Sequence, residues 1–112
     1  MVDVDRMRAD LLTARKARDK VTEVALKRAL AAFDNAAAPP AEDHVNLHSL
    51  GPREVPRLEL SNDDLAGVLR AELVEAEAAA QLYEAGDRHD AAAKLRAESA
   101  ILARYLASVP PA

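Results

Sequence analysis

Six basic side chains form the densest group of positive charge in the chain, and they are its strongest candidate for a binding chemistry. They are Arg15, Lys16, Arg18, Lys20, Lys27 and Arg28. Cations that converge in this way bind phosphate groups, so the cluster predicts a contact with nucleic acid. The alternative is structural, because the end of a helix favours cations and neighbouring carboxylates pair with them. No aromatic residue is interleaved with the cluster to stack on a base.

His44 and His48 are the candidate metal ligands. They are four residues apart and follow Glu42 and Asp43, and on a helix this spacing places both imidazoles on one face. No third ligand stands at a meaningful spacing, so packing within a loop is the favoured interpretation. His89 has carboxylate neighbours but no nucleophile beside it, which favours a polar residue at a helix start. The sequence therefore predicts no metal site.

Motifs for catalysis are absent from the sequence. None of the four serines lies in a Gly-x-Ser-x-Gly turn, and the three glycines cannot build a Gly-rich phosphate loop. Glu72, Glu75 and Glu77 follow one another along a predicted helix with no accompanying His, which favours a solvated face over a di-metal site. The sequence favours a protein with no catalytic residue and no cofactor.

Composition limits the fold that positions these residues. The chain has 112 residues, a net charge of −4 and no cysteine, with 26 alanines against 15 leucines and 9 valines. This length fits a single domain, residues 1–112, and so many alanines predict a thin core between close-packed helices. The apolar runs are far shorter than a bilayer span, and the N-terminus lacks the pattern of a signal peptide. We expect a soluble cytoplasmic protein with no membrane contact.

Apolar residues recur at three- and four-residue steps in four segments, and prolines separate the second segment from the third. The predicted fold class is all-α: a small four-helix domain of two helical hairpins with a long Pro-containing loop between them. The predicted helices span residues 3–18, 20–38, 62–85 and 88–107, and the loop spans 39–61. Asp19 and the Ser61–Asp64 pair are the predicted caps of the second and third helices. The residues predicted to be buried are Leu30, Phe33, Leu69, Leu73, Leu95 and Leu102.

A glycine marks the turn between the third and fourth helices. Gly86 follows the last apolar residues of the third helix, and we expect it to cap that helix with a positive φ. Two residues later, Arg88 is expected to hydrogen-bond a carboxylate or the open carbonyls of the helix end. The turn is therefore predicted to hold the second hairpin together.

Several segments keep a fixed order and spacing along the chain. The last third has YEAGDR at 83–88, LRAE at 95–98 and ILARYL at 101–106, and the first half has ARKARD at 14–19. In this order the segments resemble the GatB/YqeY family, small bacterial helical proteins of the YqeY type. The resemblance covers residues 5–38 and 65–106, and it marks Gly86, Arg88 and Tyr105 as signature residues with a structural role.

The resemblance also implies a function. The family is named with the GatB subunit of the tRNA-dependent amidotransferase, with which it shares a helical tail region, so it implies a non-catalytic helical module associated with tRNA or translation. Typical members continue past the Tyr-Leu pair with a further helical bundle, so the resemblance is to a short form without it. One alternative is a helical protein-interaction or structural domain, whose partner is another protein or a second copy in a homodimer. The other is an amidotransferase-type carbon–nitrogen ligase, for which no catalytic constellation is visible.

Overall fold

Four α-helices account for most of the residues that the computed structural model describes, which are 1–38 and 58–107. They are α1 (Val4–Ala17), α2 (Lys20–Ala37), α3 (Asn62–Ala85) and α4 (His89–Ala107). The predicted all-α fold is confirmed, and each predicted helix boundary lies within one residue of the observed one. Within these two ranges there is no strand, and none of the helices has the length and hydropathy that a bilayer span requires. Of the predicted loop 39–61, residues 58–61 are described.

Side chains fix the starts of α2 and α3 as predicted. Asp19 accepts hydrogen bonds from the Thr22 backbone N–H at 3.2 Å and from the Thr22 hydroxyl at 2.7 Å. At α3, the Asp64 backbone N–H donates to the Ser61 hydroxyl at 3.1 Å, and the Ser61 backbone N–H donates to the Asp64 carboxylate at 3.0 Å. These bonds satisfy backbone donors that the first turn of a helix leaves open. Local sequence therefore determines where both helices begin.

The helices pack as two hairpins around one core. α1 packs on α2 and α3 packs on α4, and α2 also contacts both helices of the second hairpin. Met7 of α1, Leu26 of α2 and Leu69 of α3 are the largest fully buried side chains. Phe33 of α2 and Leu102 of α4 belong to the same cluster. The core therefore contains residues from all four helices.

Alanine lets these helices approach one another. Ala25, Ala29 and Ala66 are almost completely buried in the same cluster, and side chains this small permit short distances between helix axes. Of the residues predicted to be buried, Phe33, Leu69 and Leu102 are buried, whereas Leu30, Leu73 and Leu95 are only partly buried. Leu30 and Leu73 pack against the edge of the core, whose centre holds Met7, Leu26 and Leu69 beside the alanines.

A hydrogen bond ties the N-terminus to the second hairpin. The Val2 backbone N–H donates to the Asn62 side-chain oxygen at 2.7 Å, and Val2 is buried in the core. Asn62 is the first residue of α3. The start of the chain is thereby held against the start of α3, 60 residues later.

The turn between α3 and α4 differs from its prediction. Gly86 has a φ of −93°, and the positive φ of 60° belongs to Asp87, so the expected positive φ at Gly86 is wrong. The Gly86 N–H donates to the Leu82 and Tyr83 carbonyls at 3.1 Å, and the Arg88 N–H donates to the Tyr83 carbonyl at 2.8 Å. The helical hydrogen bonds thus run through Gly86, and the chain reverses one residue later.

We expect substitutions in this turn to act at Asp87 and not at Gly86. Asp87→Val should lower the free energy of unfolding by about 1–2 kcal/mol, because a β-branched residue is strained at positive φ. Asp87→Gly should leave it unchanged or raise it by up to about 1 kcal/mol. Thermal unfolding followed by circular dichroism measures both changes.

Gly86→Val is the matched control for this prediction. A Cβ at Gly86 would lie 3.6 Å from the nearest carbonyl oxygen, an ordinary contact. If Gly86→Val destabilised the protein more than Asp87→Val, the assignment of the strained residue would be wrong.

The core also predicts that a buried leucine and an exposed leucine differ in their contribution to the free energy of unfolding. Leu102→Ala should lower the free energy of unfolding by about 2–4 kcal/mol, because Leu102 is 2 % exposed and its removal leaves a cavity. Leu12→Ala should change it by less than about 0.5 kcal/mol, because Leu12 is 56 % exposed. Chemical denaturation of the two variants measures the difference, and similar losses would contradict the core described above.

Candidate functional site

The predicted basic residues lie mainly at one end of the first hairpin. Arg15 and Lys16 belong to the last turn of α1, and Arg18 caps that helix with a φ of 57°. Lys20 begins α2, and Lys27 lies two turns further along it. The hairpin therefore brings together five of the six residues that the sequence predicts.

Glu23 lies at the centre of these cations. Its carboxylate is 3.5 Å from the Lys20 Nζ, 3.7 Å from the Lys27 Nζ and 3.7 Å from the Arg15 Nε. The Glu23 side chain is 12 % exposed, whereas the side chains of the three cations are about half exposed or more. One shielded carboxylate therefore faces three cations that remain accessible to solvent.

Two opposing effects set the pKa of Glu23. Burial favours the neutral acid and raises the pKa, whereas Lys20, Lys27 and Arg15 favour the carboxylate and lower it. The cations prevail, and the pKa of Glu23 lies below its ordinary value. Glu23 is therefore ionised at neutral pH, and its single negative charge leaves the cluster with an excess of positive charge.

Arg28 is separated from the other five by its partners. Its Nε lies 3.7 Å from the Glu72 carboxylate of α3, and its Nη1 lies 3.7 Å from the Glu98 carboxylate of α4. The Glu98 side chain is 5 % exposed. Arg28 thus joins α2 to both helices of the second hairpin, which is a structural use of a residue predicted for nucleic-acid binding.

Lys16 and Arg18 have no ion pair within residues 1–38 and 58–107. Both side chains are exposed. The left-handed backbone of Arg18 lets its N–H donate to the Arg15 carbonyl at 3.2 Å. These two residues can therefore contact a ligand without first breaking a salt bridge.

The signature turn carries its own charged network. Arg88 makes the expected bond to an open carbonyl of the helix end through its backbone N–H, which donates to Tyr83 at 2.8 Å. Its guanidinium lies over the Tyr83 ring, 5.0 Å from the centroid, in a cation–π contact. Arg96 of α4 is 3.2 Å from Glu77 and 3.4 Å from Glu84, both on α3. The contacts join the two helices of the second hairpin along its length.

Tyr105 connects α4 to α1. Its hydroxyl donates to the Asp10 carboxylate at 2.6 Å, and the Arg6 Nε lies 3.8 Å from the same oxygen. Burial and then the contact with Asp10 raise the pKa of Tyr105 to about 12. The signature tyrosine therefore has a structural position, where it holds the two hairpins together.

The other chemical candidates give no metal site in the described part of the chain. His44 and His48 lie outside the described residues. His89 is 2.7 Å from Glu84 through its Nδ1 and 3.7 Å from Asp87 through its Nε2. Within residues 1–38 and 58–107, no group of three or more His, Asp or Glu side chains is placed to hold a metal ion.

The carboxylates are the residues that the sequence reasoning missed. Glu72 was assigned to a solvated face, and Glu23 and Glu98 were given no role. The position of Glu23 has a sequence signal, because it lies three residues after Lys20 and four before Lys27, the spacings at which helical side chains meet. Glu72 and Glu98 have no such signal, since Arg28 reaches them only through the tertiary fold.

We expect Tyr105 to titrate in alkali with a pKa of about 12, above the ordinary value of 10.0. Because the pKa is higher in the folded state, the interaction stabilises the fold fully below pH 10 and is lost as the pH rises towards 12. The difference between the tyrosinate absorbance curves of the native chain and Tyr105→Phe isolates this group.

Asp10→Asn tests the cause of the shift. It removes the charge beside the hydroxyl but keeps an acceptor, so the pKa of Tyr105 should fall part of the way from about 12 towards its ordinary value of 10.0. A difference curve centred on the ordinary value in the native chain would contradict the contact with Asp10.

Comparison with known proteins assigns the chain to a family. A family model described as Yqey-like protein matches residues 4–109. Searches among curated proteins and among solved structures found no match. The matched segment contains all four helices, the turn at Gly86 and Tyr105. The chain therefore belongs to the YqeY-like family.

Proposed function

We propose that this YqeY-like protein is a non-catalytic binding module that holds the phosphate backbone of tRNA at the end of the α1–α2 hairpin. The observation that carries the proposal is the convergence of Arg15, Lys20 and Lys27 on the single carboxylate of Glu23. Three partly exposed cations around one shielded negative charge attract a further anion. We call these residues, with Lys16 and Arg18, the basic end.

The charges around the basic end support a phosphate ligand. The basic end has five cations, and the carboxylates of Glu23 and Asp19 are the negative charges set against them in the local charge balance. The Asp19 carboxylate caps α2, and hydrogen bonds from Thr22 lower its pKa, so its charge is engaged with the helix start. The excess positive charge is local, since residues 61–112 contain nine acidic and five basic residues. A polyanion would therefore contact this end in preference to the second hairpin.

The size of the basic end sets the expected strength of binding. Five cations can contact only a few phosphate groups at a time. The affinity for tRNA should therefore be modest, and it should fall steeply as salt is added. Glu23 competes with phosphate for Arg15, Lys20 and Lys27. The native chain therefore binds with part of its positive charge already neutralised.

We expect Glu23→Gln to strengthen tRNA binding by about three- to tenfold at low salt, because it frees three cations while keeping the shape of the side chain. The paired change of Lys16→Ala with Arg18→Asn should weaken binding and reduce the slope of log affinity against log salt by about two. Asn suits the positive φ at position 18. Arg15 is not replaced by a carboxylate, because Arg15→Glu would place a second negative charge beside Glu23. Fluorescence anisotropy with labelled tRNA measures each affinity.

The control removes two cations elsewhere. Lys94→Ala with Arg104→Ala makes the same change in net charge at two exposed positions of α4, and it should leave binding nearly unchanged. Equal weakening by both double variants, or weaker binding by Glu23→Gln, would show that the basic end is not the tRNA contact.

A further inference from the structure

The helix α3 has two apolar faces. One face is buried in the protein and includes Ala66, Leu69, Ala76 and Ala80. The opposite face is exposed and carries six apolar or small residues, here called the outer stripe: Gly67, Ala71, Val74, Ala78, Leu82 and Ala85. A helix that packs on a single layer needs only one apolar face.

Helix propensity alone does not account for the outer stripe. Exposed alanines favour a helix, but Val74 and Leu82 are 70 % and 75 % exposed, and valine is a poor helix former. The stripe runs along α3 from Gly67 to Ala85, a length of about 27 Å at the rise of an α-helix. A continuous apolar strip of this length indicates a surface that another helix covers.

The spacing within the stripe fits a paired helix. Ala71, Ala78 and Ala85 of the outer stripe recur every seven residues, and Gly67 and Val74 begin a second such series that continues at the polar Gln81. The two series alternate in steps of four and three, which is the seam of a left-handed coiled coil. Leu82 lies beside Gln81, on the same flank of the seam as Glu75. Small residues along this seam allow a second helix to approach closely.

Charges beside the seam identify the second helix. Arg70 lies next to Ala71 on one flank and Glu75 lies next to Val74 on the other, and both are exposed with no ion pair within the described ranges. In a parallel pair, a residue on one flank faces the residue five positions later on the opposite flank of the other helix. Arg70 of each copy would then face Glu75 of the other.

An antiparallel arrangement lacks this complementarity. Each flank would meet the same flank of the second copy, so Glu75 would lie on the side of another Glu75 and Arg70 on the side of another Arg70. We propose that α3 pairs in parallel with α3 of a second copy of this chain, through the outer stripe and two Arg70–Glu75 contacts. The parallel symmetry places the basic ends of both copies at the same level along the α3 axis.

The absence of cysteine from the chain makes a direct test available. Ala71→Cys and Ala78→Cys are separate single variants at exposed seam positions, and Ala100→Cys on α4 is the exposed control. Under mild oxidation at micromolar protein, the two seam variants should form disulfide-linked dimers at least tenfold faster than the control. Circular dichroism of the reduced proteins confirms that each variant is folded.

The possible results separate the arrangements. Rapid cross-linking at both seam positions is expected of the parallel pair. Cross-linking of a mixture of Ala71→Cys and Gln81→Cys in preference to either variant alone would indicate antiparallel helices and overturn the proposal, because antiparallel helices pair one heptad series with the other. Rates equal to that of the control would show that α3 does not pair with itself. None of these three results depends on tRNA binding, so the proposed function is tested separately.

Charge exchange tests the flanking contacts. Arg70→Glu and Glu75→Arg should each weaken self-association several-fold in sedimentation equilibrium, because each places like charges across the pair. A mixture of the two variants should form a heterodimer more tightly than either variant forms a homodimer. If mixing gave no recovery, the parallel register set by Arg70 and Glu75 would be wrong.

Discussion

The small side chain of alanine is the constraint on which the rest of this structure depends. Ala25, Ala29 and Ala66 lie almost without exposure between the helices, and the helices approach closely because of them. Two carboxylates are shielded at the edge of this core: the side chains of Glu23 and Glu98 are 12 % and 5 % exposed. A carboxylate in such a position requires a cation beside it.

This requirement divides the basic residues between two roles. Arg28 meets Glu72 and Glu98 across three helices. The Arg28 side chain is 39 % exposed, but the Glu98 side chain is only 5 % exposed, so the loss of Arg28 would leave a shielded carboxylate without its cation, which is costly. Arg28 therefore links α2 to both helices of the second hairpin. Glu23 instead lies within the first hairpin, where its one carboxylate pairs with three exposed cations. One negative charge cannot neutralise three positive charges, so a positive excess remains there.

Local and long-range information explain which features the sequence could predict. The helix bounds and the caps at Asp19 and Ser61 were predicted because hydrogen bonds within one turn determine them. The partners of Arg28 and the Tyr105–Asp10 contact, which joins residues 95 positions apart, depend on how the hairpins dock. Gly86 caps α3 as predicted, but the positive φ expected there belongs to Asp87, because residue type alone does not show whether the cap or the next residue takes the left-handed conformation. The residues of the basic end were named from the sequence, but its central carboxylate was not.

Charge distribution connects the basic end with the outer stripe of α3. Residues 1–35 carry eight basic and six acidic residues within a chain whose net charge is −4. At physiological salt, exposed charges interact over about 8–10 Å, so a phosphate responds to the local excess and not to the net charge. The acidic remainder of the surface then confines any polyanion to one small contact, whose affinity is limited. Two such contacts on one ligand bind far more tightly than either alone when they are held together. The parallel pair of α3 helices proposed above would provide that arrangement, because it would place both basic ends at the same level along the α3 axis.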